Sequence, residues 1–214
     1  MQDGVSRETF EARVSILGLD AIANDRLTHF FESLENTAKR AGLIGSSDAG
    51  THILRALCLL ELPQIRGAGL IIDVGTGAGL PGVPLSIAGC QVVLIEPKRR
   101  AVAFLEKSKR DLGIEVVVLP MRAEQAVREW ESKADVVIAR GLAAPDDALR
   151  LCAPLCRPGG SVVLTASTRL AAPSRDLLER LGFGPNSSVK LGVPLEIEQH
   201  VNIMRKTDQH PFLA

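Results

Sequence analysis

Tyrosine is absent from this 214-residue chain, tryptophan occurs once, and aromatics make up 3% of it. A single-strand nucleic-acid platform built from stacked aromatic side chains is therefore not expected. Charge of one sign is also lacking: 25 Lys+Arg stand against 25 Asp+Glu, for a formal net charge of zero. That excludes a highly basic nucleic-acid-binding tail and an acidic disordered chain, though not a local basic face. No stretch reaches the roughly 18 consecutive apolar residues of a membrane span. The opening residues, MQDGVSRETFEARVS, lack a basic segment followed by an apolar one, so no secretory signal is expected and the expected location is cytoplasmic. Four cysteines, Cys58, Cys90, Cys152 and Cys156, show no CxxC spacing and no neighbouring histidine. Cys152 and Cys156 would share one helix face if residues 146–156 were helical. Buried thiols in a reducing compartment are the reading. The four histidines, His29, His52, His200 and His210, are dispersed, so no metal site is expected.

What is present suits one domain with an extension. The chain is 46% hydrophobic. At this length it can bury roughly 70% of its unfolded surface without disulfides or metals. Residues 1–62 form the expected helical extension, with apolar residues at helical spacing: Phe10, Val14 and Leu17; Leu27, Phe30, Phe31 and Leu34; Ile53, Leu54, Leu57 and Leu60. Asn24 or Asp25 is the expected cap of the second helix, and Ser47 or Asp48 of the third. Pro63 and Gly67–Gly69 close the region. Residues 63–214 form the second expected unit. There, short Val- and Ile-rich runs occur at Leu70–Val74, Val92–Ile95, Val116–Leu119, Val136–Ala139 and Val162–Thr165. None alternates with polar residues, so both faces of each strand should be buried, as in a parallel sheet. The intervening segments, about 80–88, 98–112, 123–131 and 146–156, suit crossover helices, and the fold class is a doubly wound α/β sheet. Past Pro173, a helix over Ser174–Leu181 should precede two last strands, Ser187–Leu191 and His200–Met204.

The segment from Leu70 to Gly82, LIIDVGTGAGLPG, is the most informative. A buried strand should end at Val74, a glycine-rich turn follows, and a helix begins with Pro81 in its first turn. Gly75, Gly77 and Gly79 permit sharp turning and close approach of backbone to a ligand. Gly77-Ala-Gly-Leu-Pro-Gly82 matches the dinucleotide string GxGxxG, but two residues later than a strand-adjacent first glycine requires. Counted from the strand end, the pattern is Asp73-x-Gly75-x-Gly77-x-Gly79, the acidic-x-Gly-x-Gly-x-Gly arrangement of S-adenosylmethionine-dependent methyltransferases. An acidic residue there suits a cofactor carrying a sulfonium and an amino acid end. Glu96, 21 residues beyond Gly75, should close the second strand and accept from ribose hydroxyls. Ala123 and Glu124, after the third strand, could meet an adenine edge.

Asp73-Val-Gly-Thr-Gly-Ala-Gly-Leu-Pro-Gly-Val-Pro-Leu-Ser-Ile87 resembles the signature of the small-subunit ribosomal RNA methyltransferase G family, also called glucose-inhibited division protein B. Lys98-Arg-Arg-Ala-Val-Ala-Phe-Leu105, Met121-Arg-Ala-Glu124 and Val137-Ile-Ala-Arg-Gly-Leu-Ala143 support the resemblance, which covers about residues 65–165. It implies a Rossmann-like class I methyltransferase sheet, mostly parallel with about seven strands, behind a helical N-terminal extension. It implies S-adenosyl-L-methionine as cofactor and methyl transfer to N7 of a guanine in small-subunit (16S) ribosomal RNA. Cofactor contacts carry over to Gly75, Leu80, Ala123, Glu124 and Arg140, with Asp73 and Glu96 as general methyltransferase positions and Thr76, Gly77 and Gly79 inside the loop. Three stretches depart from the family. His52-Ile-Leu-Arg-Ala-Leu57 has Arg55 and Ala56 where the family has Asp and Ser. Leu164-Thr-Ala-Ser-Thr168 lacks the family's lysine. Gln199 stands where an arginine precedes the last-strand histidine.

N7 of guanine bears a lone pair and no proton, so it can attack the methyl group in line without a general base. Arg140 is the candidate catalytic residue, orienting the base through O6 or a phosphate. No Asp/Asn-Pro-Pro-aromatic string follows the fourth strand, and no cysteine sits in a loop suited to a thiolate nucleophile. Lys98, Arg99 and Arg100, then Lys107, Lys109 and Arg110, are candidate RNA contacts, with Lys39, Arg40, Arg55 and Arg169 at the rim. The expected partner is small-subunit ribosomal RNA or the small ribosomal subunit, met by a monomer without metal or membrane. Two alternatives remain: a cofactor-binding relative with altered substrate or reduced activity, and a nicotinamide-dependent oxidoreductase using Gly77–Gly82.

Overall fold

The computed structural model describes residues 5–45, 48–166 and 171–208. Two helices come first, α1 (Arg7–Ser15) and α2 (Ala21–Ser33), with a wider π turn over Leu34–Ala38. Then come α3 (Ala49–Leu57), a 3-10 turn at Cys58–Glu61 and the short α4 (Pro63–Arg66). The cap of α2 is Asp20, whose carboxylate accepts from the Ala23 amide at 2.7 Å. Asn24 and Asp25, the expected caps, lie one turn inside. Leu19–Asp20 is the true boundary because Asp20 keeps extended backbone geometry while its side chain reaches an unsatisfied first-turn amide. Asp48 caps α3, accepting from Thr51 N–H at 2.7 Å. Its rival Ser47 lies outside the described residues, as do Arg169 and His210.

Seven strands follow: β1 (Ile71–Val74), β2 (Val92–Ile95), β3 (Val116–Leu119), β4 (Ala134–Arg140), β5 (Cys156–Ala166), β6 (Ser187–Leu191) and β7 (Gln199–Arg205). Between them lie α5 (Gly82–Ile87), α6 (Arg99–Leu112), α7 (Ala123–Trp130), α8 (Pro145–Cys152) and α9 (Arg175–Arg180). They build one sheet in the order β3-β2-β1-β4-β5-β7-β6. The first five strands are parallel and β7 runs antiparallel between β5 and β6.

Alternation along each strand divides the core in two. Ile71, Val92, Leu94, Val136, Ile138 and Val163 face one layer; Ile72, Val93, Val137, Ala139, Val162 and Leu164 face the other. The second layer is α7, α8 and α9, through Ala126, Leu149 and Leu177. The first is α5 and α6, completed by the N-terminal helices through Phe10, Leu27, Phe30, Ile53 and Leu57. Each such side chain, fully buried, contributes about 1.5–3 kcal/mol. The N-terminal segment thus shares its core with one face of the sheet.

The thiol reading needs one correction. Cys152 and Cys156 do not share a helix face. Helix α8 ends at Cys152 and β5 begins at Cys156. Pro154 lies between them, and a proline has no amide to continue a helix. Cys58, Cys152 and Cys156 are buried and Cys90 is partly so. Burial pushes Cys58 and Cys156 up to about 12 and raises Cys90 and Cys152, so none is a ready thiolate. No group of His, Cys, Asp or Glu among the described residues could hold a metal ion. No described helix is long and apolar enough to cross a membrane.

Candidate cofactor and substrate site

Strand order reverses beside β1: β2 and β3 lie on one side, β4 and β5 on the other. The crevice outside the carboxyl ends of β1 and β4 is the switch point of the sheet. The glycine turn stands there. Gly75 and Thr76 donate their amides to the Ile95 carbonyl, at 2.9 and 3.2 Å, which ties the turn to the end of β2. Gly79 and Leu80 donate to the Thr76 carbonyl, each at 3.0 Å. Gly75, Gly77 and Gly79 all have positive φ, the reason glycine is needed at each. Helix α5 starts at Gly82, with Pro81 as its cap.

Asp73 proves to be the clamp of this turn. Its Oδ2 accepts from Thr76 Oγ1 at 2.6 Å and from Gly82 N–H at 2.8 Å. The carboxylate is wholly buried, and Oδ1 has no hydrogen-bond partner among the described residues. Burial raises its pKa to about 6, against the pull of Thr76, Gly82 and the nearby Arg140 cation. Glu96 directly follows β2. Its Oε2 accepts from Gly77 N–H and its Oε1 from Lys98 N–H, both at 2.9 Å. Thr76 and Leu80 are both buried; the Leu80 side chain joins the core, leaving its backbone for any ligand. Ala123 and Glu124 open α7, where first-turn amides lack intrahelical partners; Ala123 is buried and Glu124 exposed.

Arg140 ends β4. In register, Asp73 pairs with Ile138, so Arg140 lies two residues further on the same face as Asp73. Its Nη1 meets His52 Nδ1 at 3.1 Å, and its buried Nε has no partner among the described residues. In the sequence, only its place in the family string marks His52. Burial, then the Arg140 and Arg55 cations, hold His52 down to about 4.

The basic residues do not form one patch. Lys98, Arg99 and Arg100 are exposed at the carboxyl rim of the sheet. Arg110 lies about 16 Å further along α6, at its far end. Lys107 there pairs with Asp111. Of the family's two missing cations, the lysine belongs to a stretch whose end, Ser167 and Thr168, lies outside the described residues, and the arginine is replaced by neutral chemistry. Gln199, buried, donates to Thr165 Oγ1, so that position presents no charge to solvent.

The two buried titrating groups give opposite acid responses. Asp73 is raised from 3.8 to about 6, so the folded state holds its proton more tightly, and stability is gained as pH falls from about 6 toward 4. His52 is lowered from 6.5 to about 4, so the unfolded state takes the proton first, and stability is lost as pH falls from about 6.5 toward 4. Relative to the unsubstituted chain, Asp73→Asn should lose about 2 kcal/mol, and His52→Gln gain about 2 kcal/mol, between pH 7 and pH 4.5. Chemical denaturation at the two pH values measures both differences.

A seven-stranded sheet in this order, one strand antiparallel, with a glycine turn at the switch point, is the class I methyltransferase architecture. Solved structures agree on the fold. An O-methyltransferase so named provisionally, from Klebsiella pneumoniae, superposes with TM-score 0.58 at 15% identity, over 91% of this chain and 94% of that one. A precorrin-6y C5,15-methyltransferase from Geobacter metallireducens gives 0.51 at 16%, over 77% and 90%. The family model for rRNA small subunit methyltransferase G matches residues 23–175. The chain belongs to that family. Relatives named ribosomal RNA small subunit methyltransferase G include one from Mycobacterium leprae, 38% identical over 141 residues, 63% of this chain and 57% of that protein. Another, from Rubrobacter xylanophilus, is 35% identical over 189 residues, 84% of this chain and 70% of that protein. The chain spans less than two thirds of the Mycobacterium leprae relative and, at 65%, of the one from Mycolicibacterium gilvum.

Proposed function

We propose that this chain transfers a methyl group from S-adenosyl-L-methionine to N7 of a guanine in small-subunit (16S) ribosomal RNA, as a cytoplasmic monomer. One observation carries the reading. At the switch point of the sheet, two buried polar atoms of opposite character, Asp73 Oδ1 and Arg140 Nε, have no partner among the described residues, beside a glycine turn that is open at Gly77. Buried polar groups of that kind call for one. The cofactor's amino acid end fits both: its ammonium suits Asp73 and its carboxylate suits Arg140. Glu96 stands at the end of β2 for the ribose hydroxyls, and Ala123 and Glu124 open α7 for the adenine edge. Gly75, Thr76, Gly77, Gly79 and Leu80 supply backbone along its length.

When bound, the cofactor supplies an electrophilic methyl group on a sulfonium. No residue need remove a proton, because N7 has none. The protein's task is geometry: to hold the base in line with the methyl group and keep water out. The burial of Arg140 and its pull toward Asp73 favour the cofactor contact over one to guanine O6. Family membership supports this reading over a nicotinamide enzyme.

Calorimetry tests the cofactor. Heat with S-adenosylmethionine and none with NAD is expected; the reverse would overturn the assignment. RNA should meet the carboxyl rim. Replacing Lys98, Arg99 and Arg100 together by Ala should lower the slope of log affinity against log salt by about 2. The pair Lys109→Ala and Arg110→Ala, at the far end of α6, should leave that slope unchanged. Filter binding across a salt series distinguishes them.

A further inference from the structure

We propose that His52 is the positioning residue for Arg140, through which the N-terminal helices set the cofactor-facing guanidinium. The inference rests on the function proposed above. An arginine has only donors, so the 3.1 Å contact requires His52 Nδ1 to accept and the imidazole proton to sit on Nε2. His52 is 7% exposed, and its Nε2 has no partner among the described residues. The neutral ring offers Arg140 one acceptor and nothing else.

The fold explains the pairing. Asp73 and Arg140 point to the sheet face covered by the N-terminal helices, the side of Ile71, Leu94 and Ile138. Helix α3 lies in that layer and carries His52 among buried Ile53, Leu54 and Leu57. The helix itself is anchored. Asp48 caps it, Glu35 Oε1 accepts from Ala49 N–H at 2.7 Å, and Arg55 Nε donates to the Glu198 carbonyl at 3.3 Å. A side chain on so fixed an element can hold another in place. The alternative for Arg140 is near at hand. Asp73 attracts it, and a closed Arg140–Asp73 ion pair would consume both groups the cofactor needs. By taking Nη1, His52 holds the guanidinium off Asp73 and leaves Nε and Asp73 Oδ1 available.

The charges facing His52 come from several elements. Arg140 on β4 and Arg55 on α3 disfavour its cation, while Asp48 before α3 and Glu35 in the preceding turn favour it; burial and the arginines prevail. His52 therefore stays neutral throughout the physiological range and remains an acceptor there.

A double-mutant cycle on the full chain, read by calorimetry with S-adenosylmethionine, tests the pairing. His52→Phe should weaken binding about tenfold, the cost of one hydrogen bond to a charged group. His52→Gln, which keeps a carbonyl acceptor, should recover most of that. In an Arg140→Gln background His52→Phe should change affinity less than twofold, since His52 then has nothing to position. A merely structural histidine would instead lose the same factor in both backgrounds, and that result overturns the proposal. So does an unaltered affinity in His52→Phe. If His52→Phe melts at the assay temperature, His52→Leu takes its place with the same expectations. A folded unsubstituted chain that binds no S-adenosylmethionine defeats the functional reading and this inference together. Binding that ignores His52 defeats this inference alone.

Discussion

Gly77→Val should abolish measurable cofactor binding, a loss of about 100-fold or more, while the protein stays folded. Gly77 has φ +59, and a Cβ built there meets nothing within 4 Å. The first atom of the new side chain therefore meets no part of the protein among the described residues. It would stand in the open space along the turn, where the proposed cofactor must approach backbone. A valine in the left-handed region also costs roughly 1–2 kcal/mol, a strain a folded domain of this size can absorb. Calorimetry and a thermal melt, made on the same sample, separate the two effects. Unchanged affinity in a folded Gly77→Val protein would move the site elsewhere.

Gly82→Val should act instead on the fold: it should destabilise the protein severely, with binding weakened only as a consequence. The same construction at Gly82 puts a Cβ against the Leu94 side chain and 2.8 Å from Asp73 Oδ2, the oxygen that accepts from the Gly82 amide. Here φ is not the obstacle; space is. The helix must withdraw from β2, breaking the Asp73 clamp and opening the core around Leu94. An expected loss of about 3–5 kcal/mol follows from overpacking combined with a broken buried hydrogen bond to a carboxylate. That is a large share of a typical 5–15 kcal/mol total. Urea denaturation measures it. The two glycines stand five residues apart in one motif, yet one serves the ligand and the other the packing. Spacing in the sequence could not separate them.

The sheet was legible for a physical reason. Val92–Ile95, Val116–Leu119 and Ser187–Leu191 are strands over the residues their composition marks. Val92–Ile95 is buried on both faces and has the continuous apolar run this requires. Val116–Leu119 departs from the expected two buried faces, because β3 is an edge strand and Val117 is 46% exposed. Ser187–Leu191, at the other edge, is largely exposed too. Where the signal is a single boundary residue, legibility declines. Asp20 caps α2 although Asn24 and Asp25 have suitable side chains, because capping depends on backbone angles that composition does not report. Strand β5 begins six residues before its apolar run, at Cys156, since Gly159 and Gly160 pair with Lys206 through backbone and Arg157–Gly160 has no hydrophobic signature.

The site was legible as a set of residues and not as a set of bonds. Asp73, Glu96 and Arg140 stand at the carboxyl ends of β1, β2 and β4, as the motif spacing required. That Asp73 clamps Gly82, and that Arg140 leans on His52 from 88 positions earlier, depends on which helices cover which face. No local pattern encodes that. The basic run of α6 shows the converse. Six cations close in sequence are all candidate RNA contacts by composition, and the helix rise divides them between its two ends.

The most direct test of the account is the product. The protein is incubated with labelled S-adenosylmethionine and either intact small ribosomal subunits or naked small-subunit RNA, and the RNA is digested to nucleosides. Labelled N7-methylguanosine from at least one of the two substrates is the expected result. Cofactor binding with no N7-methylguanosine from either would contradict the account, leaving a binding protein on a methyltransferase fold.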